Sequence, residues 1–136
     1  MAVFNKFNSF VEAVAEKVHD LGADQLTLAL TNTAPVAGNT VLANITEITY
    51  TNLSTRNITR TSSSQTAGLY RLIVADLTLT STGGSTGPFR YVVVYNSTAA
   101  GGPLIGWYDY GTALTLNSGE SLSVDFDQTN GLLTLQ

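Results

Sequence analysis

Cysteine is absent from this 136-residue chain, and charge is scarce: six Lys and Arg, ten Asp and Glu, and one His, with 12% charged residues. The first absence removes disulfides, thiolate metal sites and cysteine nucleophiles. The second leaves about half of the usual ~25%. The net charge is −4, and Arg56, Arg60, Arg71 and Arg90 are scattered, with Lys6 and Lys17 near the start. A duplex binder needs clustered bases to displace counterions from phosphates, so no nucleic-acid partner is expected. No run reaches the ~18 apolar residues of a membrane span. MAVFNKFNSF lacks the apolar centre of a secretory signal. Neither membrane insertion nor export by the chain's own signal is expected.

What replaces charge is Thr, Ser, Asn and Gly around a 43% hydrophobic fraction. That length and fraction suffice for one domain, 1–136, with its own core. A surface of uncharged polar groups hydrates well but resists association less than a charged one, which suits a protein packed against neighbours. Asn-x-Ser/Thr occurs at Asn44, Asn52, Asn57 and Asn96. In so Asn- and Thr-rich a chain about two or three arise by chance, and they are discounted.

The first twenty-two residues carry a helical period. Phe4, Phe7, Val11, Val14, Val18 and Leu21 are spaced three and four apart, and Phe10 widens the stripe. The spacing predicts a helix over about 4–21, with Asn5 or Ser9/Glu12 at its start and Gly22 as its stop. From Asp24 the period becomes two. QLTLALT alternates as a half-buried strand, and VLANITEITY (41–50) alternates likewise. The polar 53–65 reads as an edge strand and loop, and GLYRLIVADLTLTST (68–82) as one long strand. GGSTGP (83–88) is a loop, followed by FRYVVVYN, LIGWYDYG, a short ALTL strand, SLSVDFD and, after the Asn130-Gly131 turn, LLTLQ. With no crossover helices for parallel pairing, the expected fold is mainly β. It is an antiparallel, jelly-roll-like β-sandwich of about eight strands with one N-terminal helix.

Candidate chemistry is thin. His19, the only imidazole, lies at the foot of the predicted helix, where positive charge suits the dipole. Asp125 and Asp127 share a strand face and could offer oxygens to calcium, but the ligand spacing of a calcium loop is missing. Their ordinary place is a solvated outer face. Asp76, Asp109, Glu47 and Glu120 are the remaining acids for a glycosidase-like pair, and nothing singles out two of them. There is no P-loop, dinucleotide glycine fingerprint or G-x-S-x-G. The chain is therefore not expected to be an enzyme, and no cofactor or metal is implied. The densest side-chain group is LIGWYDYG (104–111). As a regular strand it places Leu104, Gly106, Tyr108 and Tyr110 on one face and Ile105, Trp107 and Asp109 on the other. Trp107, Tyr108 and Tyr110 fit a core, a subunit or partner contact, or a sugar-stacking platform.

The segments 4–48, 62–96 and 104–127 resemble small structural proteins of tailed double-stranded DNA phages, of the capsid decoration or cement type. NKFNSFVE, LTNTAP, GPFRYVV and GWYDYG carry the resemblance most, and it covers nearly the whole chain. It implies a virion protein on the outer surface of the expanded head. The partner would be the major capsid protein, bridged across capsomers by a homo-oligomer, commonly a trimer. On that view Phe4, Phe7, Phe10, Val11, Val14 and Val18 either cover the sandwich or grip the shell, and Trp107, Tyr108 and Tyr110 are further contact candidates. A tail or fibre component, or a carbohydrate-binding module, are the alternatives.

Overall fold

In the computed structural model, which describes residues 2–136, nine strands pair antiparallel. They form a four-stranded sheet, a three-stranded sheet and a two-stranded ribbon. The four-stranded sheet runs β1 (Phe4–Lys6), β7 (Leu104–Leu116), β6 (Thr86–Asn96), β2 (Leu26–Thr31). The second sheet is β3 (Arg60–Thr66), β4 (Leu69–Val74), β9 (Leu133–Leu135), and the ribbon is β5 (Leu77–Thr80) with β8 (Ser121–Val124). The fold is mainly β and sandwich-like, with one α-helix.

The four-stranded sheet is buried on both faces along β2, the C-terminal half of β6 and the first residues of β7. Leu26, Leu28, Leu30, Val92, Val94 and Tyr108 enter a core shared with Leu72, Leu79 and Val124 of the opposing strands and with Phe126, which follows β8. Ala29, Val93, Tyr95 and Leu104 point the other way, where Phe7 and Ile45 cover them. This explains why every residue of β2 is buried. Thr27 and Thr31, expected to face solvent, lie under segment 33–58. The free side of β2 is also closed: the Leu28 N–H donates to the Arg56 carbonyl, the Ile48 N–H to Leu30 and the Ile58 N–H to Leu26. A covered edge cannot recruit a foreign strand.

The N-terminal helix is shorter than its period suggests. It spans Ser9–Ala15, α1, and Phe4 belongs to a strand paired with Tyr108. Helical spacing at 4, 7, 11 and 14 is satisfied only in part, because the exposed side of β7 takes up Phe4–Lys6 as a ladder partner. Gly106 makes that docking possible: a Cβ there would collide with the Phe4 ring and lie 2.6 Å from the Asn5 carbonyl oxygen. The helix ends at Ala15, seven residues before Gly22. Lys17 turns into the left-handed region at φ 65°, the Val18 N–H bonds the Ala13 carbonyl, and the Lys17 N–H bonds that of Val14. This is a Schellman stop with a lysine where glycine is usual.

Two other expected strands differ. In 41–50 the alternation gives way to a single 3-10 turn at Leu42–Asn44 and extended coil. The Asn44 side-chain oxygen collects the N–H groups of Thr40 and Val41, a local bond that competes with a ladder. The long strand at 68–82 breaks at Ala75-Asp76 into β4 and β5, which belong to different sheets. Asp76 marks the corner by accepting the Phe126 N–H at 2.8 Å. Conversely, GWYDYG and ALTL merge into one thirteen-residue β7, and β6 begins at Thr86, within the expected loop.

Candidate binding surface

The aromatic octet does not form one platform. Between Val94 and Tyr95 the β6–β7 register slips, with Gly106 opposite Val94 but Leu104 opposite Tyr95. Ile105 is the extra residue of a bulge. Leu104 therefore joins Trp107 on the outer face, and Ile105 joins Tyr108 on the inner one, correcting the strict alternation expected for 104–111. Trp107 stacks 4.6 Å from the Phe7 ring. Tyr108 sits between Phe4, at 5.1 Å, and Phe126, at 6.1 Å. Tyr110 packs half-buried against the inner core. Burial raises the hydroxyl pKa of both tyrosines, with Tyr110 and Asp125 adding to it at Tyr108 and Asp125 at Tyr110. Trp107 and the two tyrosines thus open on opposite sides of the sheet.

The acids are occupied locally. Asp109 receives a two-pronged bond from Arg90, Nε to Oδ1 at 2.7 Å and Nη2 to Oδ2 at 3.0 Å, and accepts the Gly111 N–H. Arg90 first, then that N–H, holds its carboxyl below the usual range. Asp127 closes its own turn by accepting the Thr129 and Asn130 N–H groups at 2.8 Å, with the Asn130 bonds foremost in lowering its pKa. Glu47 accepts the Tyr50 hydroxyl, and Glu120 accepts the Asn117 N–H. Asp125 is exposed. It lines a shallow cleft of about 520 Å³ with Asp109, Tyr108, Tyr110 and Ser123. Among the described residues no group of three or more His, Cys, Asp or Glu could hold a metal ion. His19 is four residues beyond α1, outside dipole range, buried with its ring 5.4 Å from Phe10.

The apolar stripe divides. Phe7 is fully enclosed in the outer core. Phe10 is buried in the inner core, with Phe4 and Val14 packed against it half-buried. Val11 and Val18 are 55% and 40% exposed. Phe4, Phe10, Val11 and Val14 form one wall of a groove of about 590 Å³, and Leu133 and Leu135 form the other. Lys6 and Thr134 are its polar residues. The groove thus runs between β1, an edge of the first sheet, and β9, an edge of the second. Among the described residues no further strand pairs with either. Unlike β2, both edges keep free backbone donors and acceptors beside apolar side chains, the combination that accepts another chain. Sequence reasoning found the helical wall of this groove and missed Leu133 and Leu135. The LLTLQ run gave a strand signal but no sign of its neighbour.

No protein-family model matches the chain, and neither a curated protein nor a solved structure matches it.

Proposed function

We propose that this chain is a virion structural protein of a tailed double-stranded DNA phage, of the capsid decoration type. It binds the outer surface of the expanded head, bridges neighbouring capsomers and stabilises the shell without chemistry of its own. The groove between α1, β1 and β9 is the gripping surface, the major capsid protein is its partner, and a trimer carries three such grips. The observation that carries this reading is the groove itself: apolar walls on Val11, Val14, Leu133 and Leu135, bordered by two unpaired strand edges. The motif resemblance from NKFNSFVE to GWYDYG and the scarcity of charge support it. Weak contacts repeated around a shell gain by multivalency, so each site needs only modest affinity.

Purified protein added to expanded, undecorated heads is expected to bind at fixed stoichiometry and to raise their resistance to heat. Val11→Asp is the informative variant. Val11 is more than half exposed, so stability should change by no more than about 0.5 kcal/mol, while a carboxylate in an apolar contact should weaken head binding at least tenfold. Failure of the wild-type chain to bind any form of the shell removes the reading. Undiminished binding of the variant moves the grip away from this groove.

A further inference from the structure

The one histidine is held in a hydrogen-bond arrangement that leaves no room for a second ring proton. Asn96, fully buried at the end of β6, uses all of its amide. Its Oδ1 accepts the Thr98 N–H at 2.9 Å and the Ala99 N–H at 3.1 Å. Its Nδ2 donates to Asp24 Oδ2 at 2.7 Å and faces His19 Nδ1 at 3.0 Å. Flipping the amide would set an NH₂ against two N–H donors and a carbonyl against a carboxylate, so its orientation is fixed by these neighbours. His19 Nδ1 must then accept. The imidazole proton sits on Nε2, which is buried and has no protein partner.

We propose that His19, Asn96 and Asp24 form an acid-released clasp that fastens α1 and residues 16–24 to the end of the four-stranded sheet. A proton added at Nδ1 would point N–H at the Asn96 NH₂, donor against donor. Because the amide cannot turn, the ring must leave. The ring packs on Phe10, so its departure loosens α1 from the sheet. Asp24 is the second tie: it also accepts the Asp20 N–H at 2.9 Å, shaping the 20–24 turn that leads into β2.

The surroundings do little to favour the cation. Lys17, Asp20 and Asp24 share the segment with His19, and β4 contributes Tyr70 beside it. Arg60 of β3 reaches the Asp24 carbonyl at 3.3 Å. α1 presents the neutral Phe10 and β6 the neutral Asn96. Asp24 alone acts electrostatically to favour the charged ring, and burial outweighs it, so the imidazole pKa lies below 6.5. The sign follows: below about 6.5 the unfolded chain binds a proton that the clasped state refuses. Stability should be level above that pH and fall as pH drops toward the folded-state value. The limit is one proton, a tenfold rise in the unfolding constant per pH unit.

Imidazole nitrogen NMR on the wild-type chain at pH 6 reads the clasp directly, since there is one histidine to assign. A neutral ring protonated at Nε2 is expected. An Nδ1–H tautomer, or titration at 6.5, overturns the proposal. Urea unfolding between pH 7.5 and 5 then compares wild type with His19→Gln, whose amide oxygen can accept the Asn96 hydrogen at any pH. The wild type should show the steeper acid loss by close to one proton, and parallel slopes would sink the clasp. Amide exchange adds the location. Acidification should reduce protection across residues 9–24 relative to β2, and equal protection of the two regions refutes release. Should the glutamine variant not fold, the ring spectrum and the exchange pattern of the wild type still decide.

Discussion

The two halves of β7 are one strand under two kinds of physics. Residues 104–108 lie between β1 and β6 and are covered above and below, with Leu104, Ile105, Gly106 and Tyr108 buried. Residues 109–115 have β6 alone, through a register that slips twice between Thr86 and Tyr91, and none of them is buried. The first half is positioned by packing: a bulge at Ile105 sends consecutive side chains into different cores. The second is held more loosely, by Arg90 on Asp109 and by Tyr110 and Leu114, which only partly bury against the inner core. Stability should therefore be concentrated in the first half, and the second should tolerate change.

Ile105→Ala should have the largest effect. The side chain is fully enclosed, and truncating such a residue removes transfer energy and leaves a cavity, about 2–5 kcal/mol in all. Urea unfolding should show the loss, and a cost under about 1 kcal/mol would mean the bulge can relax to fill the space. Gly106→Val comes next, at roughly 1–3 kcal/mol for forced overpacking. Its signature is local. The new side chain meets the Phe4 ring and the Asn5 carbonyl, so β1 should detach while β6–β7 pairing persists. Exchange of the Phe7 amide, which donates to the Ile105 carbonyl at 3.1 Å, should quicken far more than that of Val93. Equal quickening of both would mean β1 is integral to the sheet.

The same contrast marks what could be read from sequence. Leu26–Thr31 was legible because strict alternation and a strand are the same pattern, yet burial of its second face depends on Phe7 and on segment 33–58, which no period announces. The 4–21 stripe was legible as apolar but ambiguous in geometry. Spacing of three and four suits a helix, and only the gap above Gly106, more than a hundred residues away, draws Phe4 into a ladder. Trp107 and Tyr108 stand out in the sequence as neighbouring aromatics, and their separation into two cores rests on a one-residue bulge that alternation hides. Asn44 and Asp76 broke expected strands through side-chain bonds whose partners become visible only in three dimensions. The groove escaped for a related reason: its far wall, Leu133 and Leu135, comes from the opposite end of the chain. His19 was placed at a helix end, whereas Lys17 ends the helix without the glycine that would have advertised it.

Arg90→Gln should have the smallest effect and bears on the second half alone. Both partners are more than a third exposed, with side chains 39% and 37% accessible, so solvent screens their attraction and most such pairs contribute little. The carboxyl of Asp109 is held low by Arg90. A group whose folded pKa is depressed contributes stability that is present at neutral pH and disappears as acid protonates it. The variant should consequently fall slightly behind wild type at pH 7, converge with it only as acid protonates Asp109 below the ordinary carboxylate range, and recover most of that deficit in 1 M salt, where charges interact over about 3 Å. The Gly111 N–H still bonds Asp109 at 2.8 Å, so the 109–111 turn should survive. A deficit rivalling that of Ile105→Ala, or one indifferent to salt, would show that the exposed half is fixed by more than this ion pair.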